Sequence, residues 1–322
     1  KEKKDKEKKE KKKKSSSSSG GSSSDSDEGK KRKGEDGDSE AAKKARAEEE
    51  EVRPIDLEAD EAATVSALQA GDRSVLPKAI RLLEGGLAEW QEVVAATIAG
   101  LTPTSVDHDG SMKKTIAEAG AIPPLIRLLR ADTVEVQKSA ARALHNLTSK
   151  SAENKVMVLD SGALPALIKL LKTGVPEVKE QAVCVLRNLS GGSPANKKLV
   201  SDGGVIQAVI QQLKQGAPPQ VQVHVAVILY NLANGSSERK GVCVVSGAIP
   251  ALIKMLGEER PEMQKEAADT LRILGHDSPQ ACMDIVAAGA AKPLAAVLNS
   301  AHPGVKKGAI LFRDTLAKFG GS

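Results

Sequence analysis

Asn146, Asn188 and Asn231 stand 42 and 43 residues apart, and each is followed by leucine. A primary amide both donates and accepts hydrogen bonds, so a column of three could hold the main chain of an extended peptide at regular intervals. The same chemistry allows a second role, in which each asparagine caps a helix end or bonds to the adjacent loop. Cationic side chains gather around the column. His145, Arg187 and Tyr230 directly precede the three asparagines, Arg272 holds the next equivalent position, and Lys138 and Arg142 lie within two helical turns upstream. Guanidinium groups grip carboxylate or phosphate through two parallel bonds, so this pattern predicts a preference for acidic or phosphorylated peptides. The alternative is a solvated face on which a residue such as Arg187 pairs with a neighbouring acid.

The elements that carry these side chains recur. "GAIPPLIRLL", "GALPALIKLL", "GVIQAVIQQL", "GAIPALIKML" and a worn "GAAKPLAAVL" open at Gly120, Gly162, Gly204, Gly247 and Gly289, at steps of 42, 42, 43 and 42 residues. A period in this range marks a stacked solenoid, in which each unit buries its apolar face only against its neighbours. Residues 154–190 show one unit. "KVMVLDSG" is a short apolar helix that stops at Gly162, where a left-handed residue suits a helix end. Pro165 then falls in the first turn of a second helix, where its missing N–H costs nothing. A third helix opens at Pro176-Glu177, with an acid at the positive end of the helix dipole, and carries Val178, Ala182, Val185, Leu186 and Leu189 on one face. Counting a variant first unit with a longer loop, "TPTSVDHDGS", and a weak last one, about six three-helix units run from roughly residue 60 to 319.

Register between third helices defines three rows. The asparagine row reads Gly100, Asn146, Asn188, Asn231, Ile273 and Thr315. One turn earlier stand Ala96, Arg142, Cys184, Val227, Asp269 and Leu311, and two turns earlier Val93, Ser139, Gln181, His224, Glu266 and Gly308. Residues at i, i+3 and i+7 share a helix face, so the rows form one strip.

The G-A-[IL]-P-x-L-I-x-L-L opening, the three-helix length near 42 and the "NL" endings resemble the armadillo repeats, and within them the plant U-box and beta-catenin-like members. The resemblance covers about four-fifths of the chain. It implies an all-α, right-handed superhelical solenoid whose third helices line a concave groove that binds an extended segment of a partner protein. On this chain the groove residues are Lys138, Arg142, Asn146, Gln181, Arg187, Asn188, His224, Val227, Tyr230 and Asn231. The family's nuclear import receptors carry tryptophan four residues before the asparagine. Here those positions hold Arg142, Cys184 and Val227, and the single tryptophan, Trp90, lies outside the column, which argues against a general import receptor.

Other chemistry finds little support. Asp107, Asp109, Ser111 and Glu118 mimic calcium-loop positions, but Met112 occupies the place where the sharp turn needs glycine. The five histidines have no paired metal spacing. Cys184, Cys243 and Cys282 form no CxxC and sit in apolar helical patterns, so buried reduced thiols are expected. No nucleophile elbow, phosphate loop or paired-carboxylate motif is present, and the reading is non-enzymatic with no cofactor. No apolar run is long enough to span a bilayer.

Composition divides the chain. Of its 47 basic and 42 acidic residues, 18 and 15 fall in residues 1–54, beside a serine run and almost no large apolar side chain. A segment of this kind is expected to be disordered, leaving 55–322 as the repeat domain. The remaining 29 basic and 27 acidic residues leave the repeat domain nearly neutral, which disfavours nucleic acid as its partner except through the tail. Lys31-Arg32 and Lys43-Lys44-Ala45-Arg46, ten residues apart, match a two-part nuclear localisation signal that an import receptor could engage at two acidic pockets. Ser22 and Ser24 each have an acid three residues on, an acidophilic kinase pattern whose phosphates would oppose that docking. A nuclear scaffold is therefore expected, with a cytoplasmic one as the alternative. The chain begins with Lys rather than Met, so the substrate-recognition part of a ubiquitin ligase, with a U-box upstream, is the second functional reading.

Overall fold

The computed structural model describes residues 54–103 and 105–319, with side chains from residue 59 onward; the basic clusters and serines of the tail lie outside them. The described residues form eighteen α-helices and one short 3-10 turn, with no strand among them. They fall into six triplets. The first helices are α1 (Pro54–Gln69), α4 (Ser111–Glu118), α7 (Ala152–Asp160), α10 (Pro194–Asp202), α13 (Ser237–Val245) and α16 (Pro279–Ala287). The second are α2 (Leu76–Gly85), α5 (Ile122–Leu128), α8 (Ala163–Thr173), α11 (Val205–Lys214), α14 (Ala248–Leu256) and α17 (Ala291–Leu298). The third, which carry the candidate site, are α3 (Ala88–Leu101), α6 (Val134–Thr148), α9 (Pro176–Ser190), α12 (Pro219–Ala233), α15 (Pro261–Gly275) and α18 (Pro303–Phe319).

Local chemistry ends and starts these helices where the repeat expects. The glycine between first and second helices takes a left-handed backbone in every copy of the motif, with φ of 94° at Gly120, 72° at Gly162, 81° at Gly204, 86° at Gly247 and 89° at Gly289. A Cβ there would be strained whatever the space, so the glycine fixes the angle between the two helices. One signal was not read from the sequence. Ser151, Ser193, Ser236 and Ser278 cap α7, α10, α13 and α16, each accepting from a backbone N–H three residues on.

Each third helix packs on the next along the whole series, α3 to α6 to α9 to α12 to α15 to α18. The contact faces are the predicted apolar ones: Val178, Ala182, Val185, Leu186 and Leu189 are fully buried on α9, as are Leu144 on α6, Leu229 on α12 and Leu271 on α15. Burial of each leucine side chain contributes about 2 kcal/mol. A stack of this kind has no central core; a continuous row of leucines and valines runs through it, and beside that row the third helices expose groups such as Lys138, Arg142 and Arg187.

Candidate peptide-binding groove

The asparagine column is built into the stack by its amide nitrogens. Asn146 Nδ2 donates to the Ala99 carbonyl at 2.8 Å, across the joint between α6 and α3. Asn188 Nδ2 donates to the His145 carbonyl at 2.9 Å and to Thr148 Oγ1 at 3.2 Å, across the joint between α9 and α6. Asn231 Nδ2 donates to Ser190 Oγ at 3.2 Å, joining α12 to α9. Each asparagine thus reaches backward to the end of the preceding third helix, a bonding arrangement close to the capping alternative. The three amide oxygens accept nothing among the described residues. An outward carbonyl therefore remains at each position to receive a peptide N–H, and the two roles fall on different atoms of one side chain.

Around this column, Lys138, Arg142 and Arg187 are exposed, Gln181, Val227 and Tyr230 are half-buried, and His224 is buried with 8% of its surface accessible. No salt bridge is made by Lys138, Arg142 or Arg187 among the described residues. No described acid pairs with Arg187. Between the two arginines lies His145, half-buried; its burial first, then the charges of Arg187, Arg142 and Lys113, hold its imidazole below the usual histidine range. His224 is pushed down further, to about 4, by burial and then by Arg187 and His145. Both histidines are therefore neutral at pH 7, and the cations here are Lys138, Arg142 and Arg187. His224 Nδ1 is buried without a partner among the described residues, and its Nε2 lies 3.4 Å from Gln220 Nε2. Cys184 occupies the row between Arg142 and Val227; burial raises its thiol to about 11, so it is a packing group rather than a nucleophile.

The strip changes character toward both ends. On α3 the rows hold Val93, Ala96 and Gly100, and these small or apolar groups border an open depression of 450 Å³ that Gln69, Glu92, Thr97 and Leu101 complete. Beyond α12, Tyr230, Asn234, Ser237, Lys240, Arg272 and His276 line a polar 500 Å³ recess, in which Arg272 Nε is buried with no partner among the described residues. Further on, Lys265 pairs with Glu266 at 2.8 Å and with Asp269 at 3.3 Å.

The calcium-like loop has a structural use. The two oxygens of Asp107 accept the backbone N–H groups of Met112 and Lys113, and Asp109 accepts that of Ser111, so the acids start α4. All three cysteines are free and buried, and Cys243 is raised to about 12 by its burial.

With this geometry in view, the family model for the Armadillo/beta-catenin-like repeat matches residues 111–149, 151–191 and 236–275. These segments fall on the units α4–α6, α7–α9 and α13–α15. Among solved structures, a crystallised engineered protein is 31% identical with a TM-score of 0.70, over 76% of this chain and 97% of that one. A designed armadillo repeat protein in complex with the peptide (KR)4 is 23% identical with a TM-score of 0.68, over 75% of this chain and 99% of that one. Computationally designed armadillo repeat proteins for modular peptide recognition align at 23% identity and a TM-score of 0.69, over 74% and 99% of the two chains. No curated protein matches the chain. The glycine-punctuated triplets, the stacked third helices and these alignments place the chain in the armadillo repeat family.

Proposed function

We propose that this chain is a non-enzymatic scaffold whose groove along α3 to α12 binds an extended segment of a partner protein, with a preference for acidic or phosphorylated sequences. The observation that carries this reading is that Arg142 and Arg187 are exposed on adjacent third helices without an ionic partner among the described residues, beside amide oxygens that accept nothing from those residues. An extended peptide could meet the amide oxygens with its N–H groups and the guanidinium groups with carboxylates or phosphates. The designed relative is in complex with a basic peptide, (KR)4; on this chain Lys138, Arg142 and Arg187 would repel such a ligand. The basic clusters of the tail, Lys31-Arg32 and Lys43 to Arg46, support a nuclear site of action through an import receptor.

Affinity capture from cell extract with the full chain, compared with an Arg142→Glu/Arg187→Glu variant of equal helicity, tests the groove. Partners that bind the parent and drop off the variant carry the reading. Partners retained equally by both would move the site away from the strip. Replacing Lys31, Arg32, Lys43, Lys44 and Arg46 with alanine should shift a fluorescent fusion out of the nucleus, and an unchanged distribution would remove the localisation signal.

A further inference from the structure

Away from the centre of the groove, a second set of uncommitted donors gathers at the joint between α12, α13 and α15. In the register of Arg187 on α9, α15 carries Arg272 two units further along, and α12 carries Tyr230 between them. Arg272, Tyr230 and Lys240 are half-buried and line the polar 500 Å³ recess with Ser236, Ser237 and His276. None of the five N–H groups of Arg272 finds a partner among the described residues, and its Nε is buried in that state. A buried guanidinium N–H without an acceptor costs free energy that an arriving anion recovers. The Tyr230 hydroxyl likewise has no partner among the described residues.

Lys240 is held in the wall, where its Nζ donates to the His276 carbonyl at 2.6 Å and keeps its other N–H groups for a ligand. The same wall includes the start of α13, a helix of nine residues that opens at Ser237 behind the Ser236 cap. The first N–H groups of a helix lack an intrahelical acceptor, so this end adds positive potential to that of the two cations. One acid lines the recess, Asp277, which is 75% exposed and lies 2.7 Å from His276 Nδ1. No acid pairs with Arg272 or Lys240 among the described residues.

We infer that this recess is a separate seat for a phosphate group, carried by a phosphorylated side chain of the partner segment and gripped by Arg272, Lys240 and Tyr230. The choice of a partner segment as the source rests on the proposed function of the groove; the donors stand without it. A carboxylate presents two oxygens, whereas a phosphate monoester presents three and carries about two negative charges at pH 7, so it meets donors from α12, α13 and α15 at once. Turning the guanidinium plane about its last torsion brings Nε–H and one Nη–H toward the recess and forms a two-pronged grip. Arg187 and Arg272 are two units apart, about 18 Å at ordinary helix spacing and beyond the screening length of about 8 Å, so the two seats act independently.

The test uses the full chain with isotope-labelled arginine and reads the Nε–H resonance of Arg272 by NMR, assigned by its loss in Arg272→Lys. The probes are a short alanine-serine peptide with one phosphoserine, the same peptide unphosphorylated, and inorganic phosphate. The phosphopeptide should move the resonance downfield, and the unphosphorylated peptide should leave it in place. In Arg142→Glu/Arg187→Glu that shift should persist, and in this background Arg272→Gln should weaken phosphopeptide binding, read by fluorescence polarisation, by about tenfold. Arg272→Lys keeps the charge without the fork and should recover only part of the loss. The parent resonance keeps the test intact where a variant loses stability. A shift with inorganic phosphate and none with the phosphopeptide overturns the partner segment as the source. A resonance unmoved by either probe, or a shift lost in Arg142→Glu/Arg187→Glu, overturns the separate seat and leaves the groove reading standing. Phosphopeptide binding that neither Arg142→Glu/Arg187→Glu nor Arg272→Gln weakens overturns both.

Discussion

Lys138 on α6 and Lys265 on α15 hold the same register position, eight residues before Asn146 and Ile273, and meet different surroundings. On α6 and α9, Lys138, Arg142 and Arg187 project without an ionic partner among the described residues. On α15, Lys265 is held between Glu266 and Asp269. Repeats of the same fold thus differ in whether their charge is available to a ligand or already satisfied within the chain. The asparagines follow the same division: they occupy α6, α9 and α12, while Ile273 and Thr315 hold those positions on α15 and α18. The lesson is that a uniform backbone repeat does not make a uniform surface, and the proposed groove lies where acceptors and cations stay without a partner among the described residues.

The sharpest way to break this contrast is charge reversal. Arg142→Glu/Arg187→Glu should weaken binding of a phosphoserine peptide by about 100-fold or more, because charge-assisted bonds contribute about 1.5–3 kcal/mol each. Lys265→Ala should leave the same binding within about twofold. Equal losses from the two variants would erase the distinction between open and satisfied charge.

Next in size is the acid response of the centre. The folded-state value of His224 is about 4, well below the ordinary histidine range, so between pH 6.5 and 4 the unfolded chain binds the proton that the folded chain refuses. Stability should therefore fall as pH drops from about 6.5 to 4, by on the order of 3 kcal/mol for this group, and level off below. His224→Gln should flatten that part of a urea-midpoint-versus-pH curve; His145, lowered in the same direction, should leave a residual slope. An unchanged curve would mean that His224 is protonated in the folded state.

The asparagines come third. Asn188→Ala removes donors to His145 and Thr148 across a joint between units and should cost about 1–2 kcal/mol of stability. It should also weaken peptide binding, whereas Thr148→Ala should change stability and leave binding unchanged. Loss of stability without loss of binding in Asn188→Ala would leave the side chain as a joint alone. The smallest effect belongs to the C-terminal end. Lys265 is 45% exposed, and Lys265→Ala should shift thermal stability by about 0.5 kcal/mol or less, since half-exposed ion pairs are screened by water.

Much of this molecule was legible in the sequence because the repeat states its own register. The 42-residue glycine spacing located the left-handed junctions, Pro176-Glu177 located the start of α9, and the valine-leucine rows named the buried face. The serine caps at Ser151, Ser193, Ser236 and Ser278 repeat at the same period and could have been found by the same alignment. The protonation of His145 and His224 could not. Their positions beside Arg187 arise from contacts between helices about 40 residues apart, and burial sets their charge.

Sequence alone determined the period, the helix boundaries, the apolar faces and the rows that share a surface, because these depend on local backbone preference and on side-chain periodicity within one helix. Only the tertiary structure decided which atoms of that surface are used up. Among the described residues, the asparagine nitrogens are committed to the preceding helix while their oxygens accept nothing, and Arg142 and Arg187 find no acid while Lys265 finds two. Each outcome depends on what an adjacent unit places within a few ångströms, and hydrogen bonds and ion pairs act only over that range.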